Sequence, residues 1–388
     1  NRGTPINQGI SCTETADTII PNAQNARLNY STGIVEIVFD ETIDVTPGSL
    51  VTLSSFFLAD VSGDDYVGFH LLGGATVLGL DLETVTIKLT ELQRADAVLK
   101  SGVVGGDSGA LVLDVKANGV QDIGENNNDN DLDLTIVETA DTKFPSLLSA
   151  TLDLNDGTLE VFGDETIDAR IASNVLPSLI TLADATGETG SELSVTLTGA
   201  VVSTSRTQNF VVTLTETERV RAIALSGTPG GDSSGCTPTP ANNFVAGGCV
   251  QGPLVLDVAP GAIFDLSENT NRDNNFNLAI TETADTTLPT SLHSTLDLND
   301  GTYVLHVSET IDGTPTSNVD RTKMSLADGY QVWTMTVAAA GITESQNTVV
   351  SQGTSVGILN LALQNQYTLT FTSSDITASI GDLITQNS

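Results

Sequence analysis

The chain has 388 residues, 39% of them hydrophobic and only 4% aromatic, and it carries a formal net charge of −35 with just 14 Lys+Arg. That length suits two to four domains, with cores built from Val, Leu, Ile and Ala. So anionic a surface excludes nucleic acid and anionic lipid as partners, and no apolar run approaches the ~18 residues of a membrane-spanning helix, so membrane insertion is not expected.

Residues 8–18 read QGISCTETADT, and the phrase returns as VETADT at 137–142 and TETADT at 281–286. A proline follows each copy: Pro21, Pro145 and Pro289. Next comes a strand–turn–strand pattern: ARLNYSTGIVEIVFDETID (26–44), ATLDLNDGTLEVFGDETID (150–168) and STLDLNDGTYVLHVSETID (294–312). Asn-Asp-Gly between alternating apolar runs predicts a hairpin in the second and third copies. A third strand follows within 53–63, 179–187 and 323–331, and further strands within 74–91 and 199–216. The Thr-Glu openings at 90–91 and 215–216 predict an N-capped turn of helix. The first two copies close with an Asn/Asp-rich loop and a last strand, over 125–142 and 268–286.

The phrase recurs after 124 residues and again after 144, the excess being largely the insert CTPTPANNFVAGGC. About seven short strands per unit predict an all-β chain of three tandem immunoglobulin-like β-sandwiches. The expected domains are 19–142, 143–286 and 287–388, preceded by an N-terminal strand over 1–18. Cys236 and Cys249 flank the insert and are expected to form a local disulfide, implying an oxidising compartment. The chain starts at Asn1, which reads as a mature product whose leader was removed or as a cut fragment.

The third repeat departs from the others. YTLTFTSSD (367–375) matches the LVLDV strand and ASIGDLITQNS (378–388) the Asn/Asp-rich loop, but 287–388 holds no counterpart of LDLTIVETADT. That counterpart is residues 8–18. A sandwich without its last strand exposes a sheet edge and a core groove, and a lone apolar strand needs a sheet to join. The expectation is head-to-tail addition, with Gly9, Ile10, Cys12, Glu14 and Asp17 in a donor strand completing domain three of the next copy. Cys12 would stand where copy one has Leu134 or Ile136. The alternative is a segment of a longer tandem array.

GGDSG at 105–109 looks like a serine-protease motif, but GGDSSG at 230–235 occupies the equivalent repeat position, so it reads as a turn. His70, His293 and His306 stand at non-equivalent places, and neither a Ser–His–Asp set nor zinc-ligand spacing repeats. No enzymatic activity is expected. Acidic residues do recur. If the second hairpin strand climbs back to the linker, Glu14 and Asp17 approach Glu41 and Asp44, Glu138 and Asp141 approach Glu165 and Asp168, and Glu282 and Asp285 approach Glu309 and Asp312. Such oxygen-rich groups suit Ca²⁺ at each junction, against the simpler account of solvated turn caps. The loops 125–131 and 268–275 are a second calcium candidate. Asn29-Tyr30-Ser31 is a glycosylation sequon, marking Asn29 as its acceptor.

The Pro start, the LDLNDGTL-type hairpin and a strand ending like SETID (308–312) resemble bacterial Ig-like repeats of S-layer and adhesin surface proteins over nearly the whole chain. The resemblance implies an extracellular structural or adhesive role and brings no catalytic residues. The sequence-level expectation is a subunit of an extracellular filament whose partners are other copies of itself, with contacts to cell surfaces or glycans. The alternative is the stalk of a calcium-dependent adhesin or S-layer protein. One Trp and five Tyr leave little for glycan stacking.

Overall fold

A computed structural model describes residues 13–59, 69–70, 74–103, 106, 109–183, 194–226, 253–272, 275–297, 299, 302–312, 318–320, 323–327, 332–334, 342–344 and 357–361. The donor-strand residues Gly9, Ile10 and Cys12, the Cys236–Cys249 pair and most of the GGDSG-type turns lie outside them. Two compact units emerge. The first holds the described residues up to 153 and those of 158–213 and 253–283; the second holds those of 154–157, 214–226 and 284–361.

In the first unit, the opening repeat runs β1 (Ala23–Asn29), β2 (Ile34–Ile43), β3 (Phe56–Ala59), β4 (Phe69–His70), β5 (Thr76–Leu78), β6 (Leu82–Lys88), α1 (Glu91–Lys100), β7 (Val112–Val115) and β8 (Asp131–Thr139). The pairing order is β4-β3-β7-β8-β1-β2-β6-β5. This is the immunoglobulin arrangement, with four strands in each of two layers. The alternation predicted from sequence is realised in β2, where every second residue through Phe39 is buried. Leu28, Val35, Ile37, Val85 and Ile87 from one layer meet Phe56, Leu58, Leu113 and Val115 from the other in a single core. Gly33, with φ of 62°, turns the chain from β1 into β2, a conformation glycine adopts without a Cβ penalty.

The second repeat repeats the plan. Its strands are β9 (Leu147–Asp153), β10 (Thr158–Asp168), β11 (Ile180–Ala183), β12 (Ser194–Thr196), β13 (Val201–Val202), β14 (Arg206–Thr213), β15 (Val255–Val258) and β16 (Asn275–Thr283). Their order, β12-β11-β15-β16-β9-β10-β14-β13, matches the first sheet strand for strand.

The strands that carry the repeated phrase have a special position. β8 pairs antiparallel with β7 through Asp131, Leu134 and Thr135, then parallel with β1 from Ile136 to Thr139. β16 does the same between β15 and β9. The change of partner follows a residue in left-handed backbone, Asp133 (φ 55°) or Asn277 (φ 57°). Each is held by its N–H donating to an aspartate of the preceding strand, Asp114 or Asp257. Asp and Asn tolerate this conformation better than other non-glycine residues.

The second unit contains α2 (Glu216–Leu225), β17 (Ser291–Asp297), β18 (Thr302–Val307), β19 (Ser325–Ala327), β20 (Val332–Thr334), β21 (Ile342–Glu344) and β22 (Gly357–Leu361). The sheet β17-β18-β22-β21 reproduces β1-β2-β6-β5, and β19-β20 reproduces β3-β4. Both helices run ten residues, beyond the predicted single turn, and each opens with a complete capping box. Thr90 Oγ1 accepts from Gln93 N–H at 3.3 Å while Gln93 Oε1 accepts from Thr90 N–H at 2.9 Å. Thr215 and Glu218 repeat those contacts. Among the described residues, no helix is long and apolar enough to cross a membrane.

Candidate functional site

Arg94 sits in the first turn of α1, one residue past the capping box. All five guanidinium N–H groups find acceptors. Nε donates to Glu91 Oε2 at 2.7 Å, and Nη2 to Glu91 Oε1 at 2.7 Å and Glu165 Oε2 at 3.1 Å. Nη1 donates to the Tyr30 carbonyl at 3.2 Å and to Asp141 Oδ2. Glu91 Oε1 also accepts from the Thr166 N–H at 2.7 Å. One buried arginine thus joins its own helix, the end of β1, the linker and β10 of the following repeat.

Arg219 on α2 builds the same arrangement within the second unit. It donates to Glu216 at 2.7 and 2.9 Å, the Leu154 carbonyl at 2.8 Å, Asp285 at 2.7 Å and Glu309 at 3.4 Å. Glu216 Oε1 accepts from the Thr310 N–H at 2.9 Å.

The expected groups of four carboxylates therefore form only in part. The structure brings Asp17 to Glu41, Asp141 to Glu165, and Asp285 and Glu309 to one guanidinium. The remaining acids go elsewhere, since each lies three positions from its neighbour and a residue three positions away on an extended chain faces the other side. Glu138 accepts from the Tyr30 hydroxyl at 2.8 Å and the Leu111 N–H, and Glu282 accepts from the Leu254 N–H at 2.9 Å. Both tie strands inside a sandwich. Asp168 is bidentate with Arg170 at 2.7 and 3.0 Å, Asp44 caps the Thr46 N–H, and Asp312 accepts from Asn318. Glu14 is exposed.

Two acids missed from sequence complete the clusters. Asp122 joins Asp17 and Glu41, and Asp265 joins Asp141 and Glu165, each set with one carboxylate oxygen apiece within 4.8 Å of the others. Both lie just before the Asn/Asp-rich loops, at equal repeat positions. Asp122 Oδ1 accepts from Asn126 N–H at 2.7 Å, as Asp265 Oδ1 does from Asn269 at 2.7 Å. These loops therefore act through the aspartate that precedes them.

Burial sets the electrostatics. Glu165 is 1% exposed. Its carboxyl is pushed up to about 8, first by burial and then by Asp141 and Asp265, against the opposing pull of Arg94 and Lys143. Glu165 Oε1 is buried without a hydrogen-bond partner. Asp265 is pushed up to about 6, again first by burial, while its hydrogen bonds from Asn269 pull the other way. Glu91 is held below its ordinary value by Arg94, whose pull outweighs the burial that acts against it. The arrangement is an ion-pair joint that fixes one repeat on the next.

Two other sequence features resolve. Asn29 Oδ1 accepts from the Thr32 N–H at 3.3 Å, so the sequon lies in the first hairpin turn. His293 and His306 are cross-strand partners on β17 and β18, with rings stacked 4.1 Å apart.

No protein-family model matches the chain, and no curated protein matches it. Among solved structures, two chains of a marsupial T cell receptor are similar over 89% and 90% of this chain and 92% and 94% of theirs, each at 9% identity and a TM-score of 0.16. At that score the likeness adds nothing to the strand order, which carries the fold assignment.

Proposed function

We propose that the protein is a structural subunit of an extracellular filament, assembled head-to-tail by insertion of the strand around residues 8–18 into the third repeat of the next subunit. Each repeat is one domain on this reading, over 19–142, 143–286 and 287–388. The observation that carries it is the position of β8 and β16. In the first two sandwiches the strand bearing the ETADT phrase joins the two layers, pairing with β7 and β1 or with β15 and β9. A sandwich deprived of that strand loses its junction and opens its core. Residues 8–18 spell the same strand, while residues 13–22 belong to no strand and 13–19 are exposed. Residues 287–388 contain no further copy of the phrase.

The arginine joints support the same reading, because a load-bearing array needs stiff connections between its domains. The extracellular assignment rests on the surface-protein resemblance and the cysteine-flanked insert. Calcium, cell-surface adhesion and S-layer kinship belong to the same proposal.

Adding a synthetic peptide of residues 5–20 tests it. The peptide is expected to stop chain growth, followed by light scattering and electron microscopy. A second reading has one point in its favour: β8 and β16 each close the repeat that precedes them in the same polypeptide. Chains that stay monomeric at high concentration and do not bind the peptide would support that stalk reading and exclude donor-strand assembly.

A further inference from the structure

The third repeat exposes what the first two bury. β1 and β9 share one burial pattern, which turns Ala26 and Leu28, or Ala150 and Leu152, into the core at 1% exposure or less. Ser294 and Leu296 hold the same places on β17, where STLDL aligns with ARLNY and ATLDL. Yet every residue of β17 is exposed, Leu296 by 38%. The neighbouring strand follows suit. Tyr303 and Leu305 on β18 are half-buried, whereas their counterparts Val35 and Ile37, and Leu159 and Val161, are fully covered.

Pairing differs at the same place. β1 has β2 on one side and β8 on the other, and β9 has β10 and β16. Among the described residues, β17 pairs with β18 alone and ends its sheet. That sheet has a second edge at β21, but the counterparts of β21, β5 and β13, are edges in the first two sandwiches as well. The edge at β17 is the one whose counterparts each carry a further strand.

The occupant follows from the register. In both earlier repeats the further strand runs parallel and bears the ETADT phrase. Ala26 lies beside Ile136 and Leu28 beside Glu138, as Ala150 lies beside Ile280 and Leu152 beside Glu282. Aligned on the phrase, Cys12 takes the place of Ile136 and Ile280, and Glu14 that of Glu138 and Glu282. Cysteine is a small apolar residue suited to burial. Residues 13–15 are exposed and lie in no strand. An extended segment added to a sheet edge gains main-chain hydrogen bonds along its length and covers the core face beside it.

We infer that the β17 edge is the acceptor for a second copy of this chain, taken up in parallel with Cys12 beside Ser294, Thr13 beside Thr295, Glu14 beside Leu296 and Thr15 beside Asp297. The inference rests on the filament reading for its partner and adds the edge, the direction and the register.

Disulfide trapping tests it. Adjacent strands lie about 4.8 Å apart, inside the Cα separation of about 4.4–6.8 Å that a disulfide spans. Ser294→Cys exchanges one atom at an exposed position. Oxidised with copper phenanthroline, the full chain carrying it is expected to give a ladder of covalent multimers on a non-reducing gel, with Cys12 in the linked peptides by mass spectrometry. Adding Cys12→Ser is expected to abolish the ladder, and Thr295→Cys, whose side chain leaves the opposite face, is expected to give none. Hydrogen exchange on the unsubstituted chain as dilute monomer, with and without a peptide of residues 5–20, supplies a second readout. Protection of at least about tenfold is expected at residues 294–297 and not at β21. A stronger ladder from Leu296→Cys than from Ser294→Cys, a disulfide closed within one chain, or peptide protection that spares β17 overturns the inference. Filaments that give no ladder from Ser294→Cys overturn the register and leave the filament reading standing. Protection of β17 by the peptide in a chain that never forms filaments removes the filament reading and keeps the acceptor edge.

Discussion

At the scale of single residues, Arg94 and Arg219 concentrate the charge balance of two joints. Removing either leaves buried and half-buried carboxylates facing one another without their guanidinium. Arg94→Ala is expected to cost about 3–5 kcal/mol, read from the first transition in urea denaturation. Arg94→Lys is expected to recover only part of the loss, because an ammonium cannot replace the five-donor fork. Glu165 makes the same joint pH-dependent. Its folded value of about 8 lies above its ordinary 4.5, so the folded state holds a proton that the unfolded chain has released. Stability from this group is therefore full below about pH 4.5 and falls as pH rises to 8. Asp265 acts in the same direction between its ordinary 3.8 and about 6. Glu165→Gln is expected to flatten the decline between pH 5 and 9 in thermal melts; an unchanged slope would contradict the assignment. The recurring acids were legible in the sequence, but their counter-ion was not recognised. TELQR and TETER hold arginines at equal repeat positions in a chain with only 14 Lys+Arg, which was the available signal. The fates of Glu138 and Glu282 were hidden, because each accepts from the N–H of a residue just before a strand more than twenty-five positions earlier, Leu111 or Leu254.

At the scale of elements, the hairpins, strand sequence and helix starts were readable because each depends on local chemistry: alternation, Asn-Asp-Gly, and Thr followed by Gln or Glu at N3. The sharing of β8 between two layers was not, because it depends on pairing with β1 more than a hundred residues earlier. Asp133 is its visible local mark. Asp133→Val is expected to cost about 1–3 kcal/mol, since a β-branched residue resists left-handed backbone, and Asp133→Gly is expected to cost less. Thr90→Ala is expected to lose about 1 kcal/mol with the capping box. Its further effect on Arg94, which it positions from the same turn, would appear as non-additivity in a double-mutant cycle with Arg94→Ala.

At the scale of the whole molecule, the threefold repeat was plain in the sequence, and the identical pairing orders of the first two repeats match it. A donor strand that adds to a second copy makes a heterologous contact, which grows into a filament unless its rotation closes a ring. The central claim is that the strand around residues 8–18 is what joins one copy to the next. Electron microscopy of the full chain beside a chain lacking residues 1–18 tests it most directly. The account predicts filaments from the full chain and only monomers from the shortened one, with growth restored by neither salt nor concentration. Filaments from the shortened chain would contradict it.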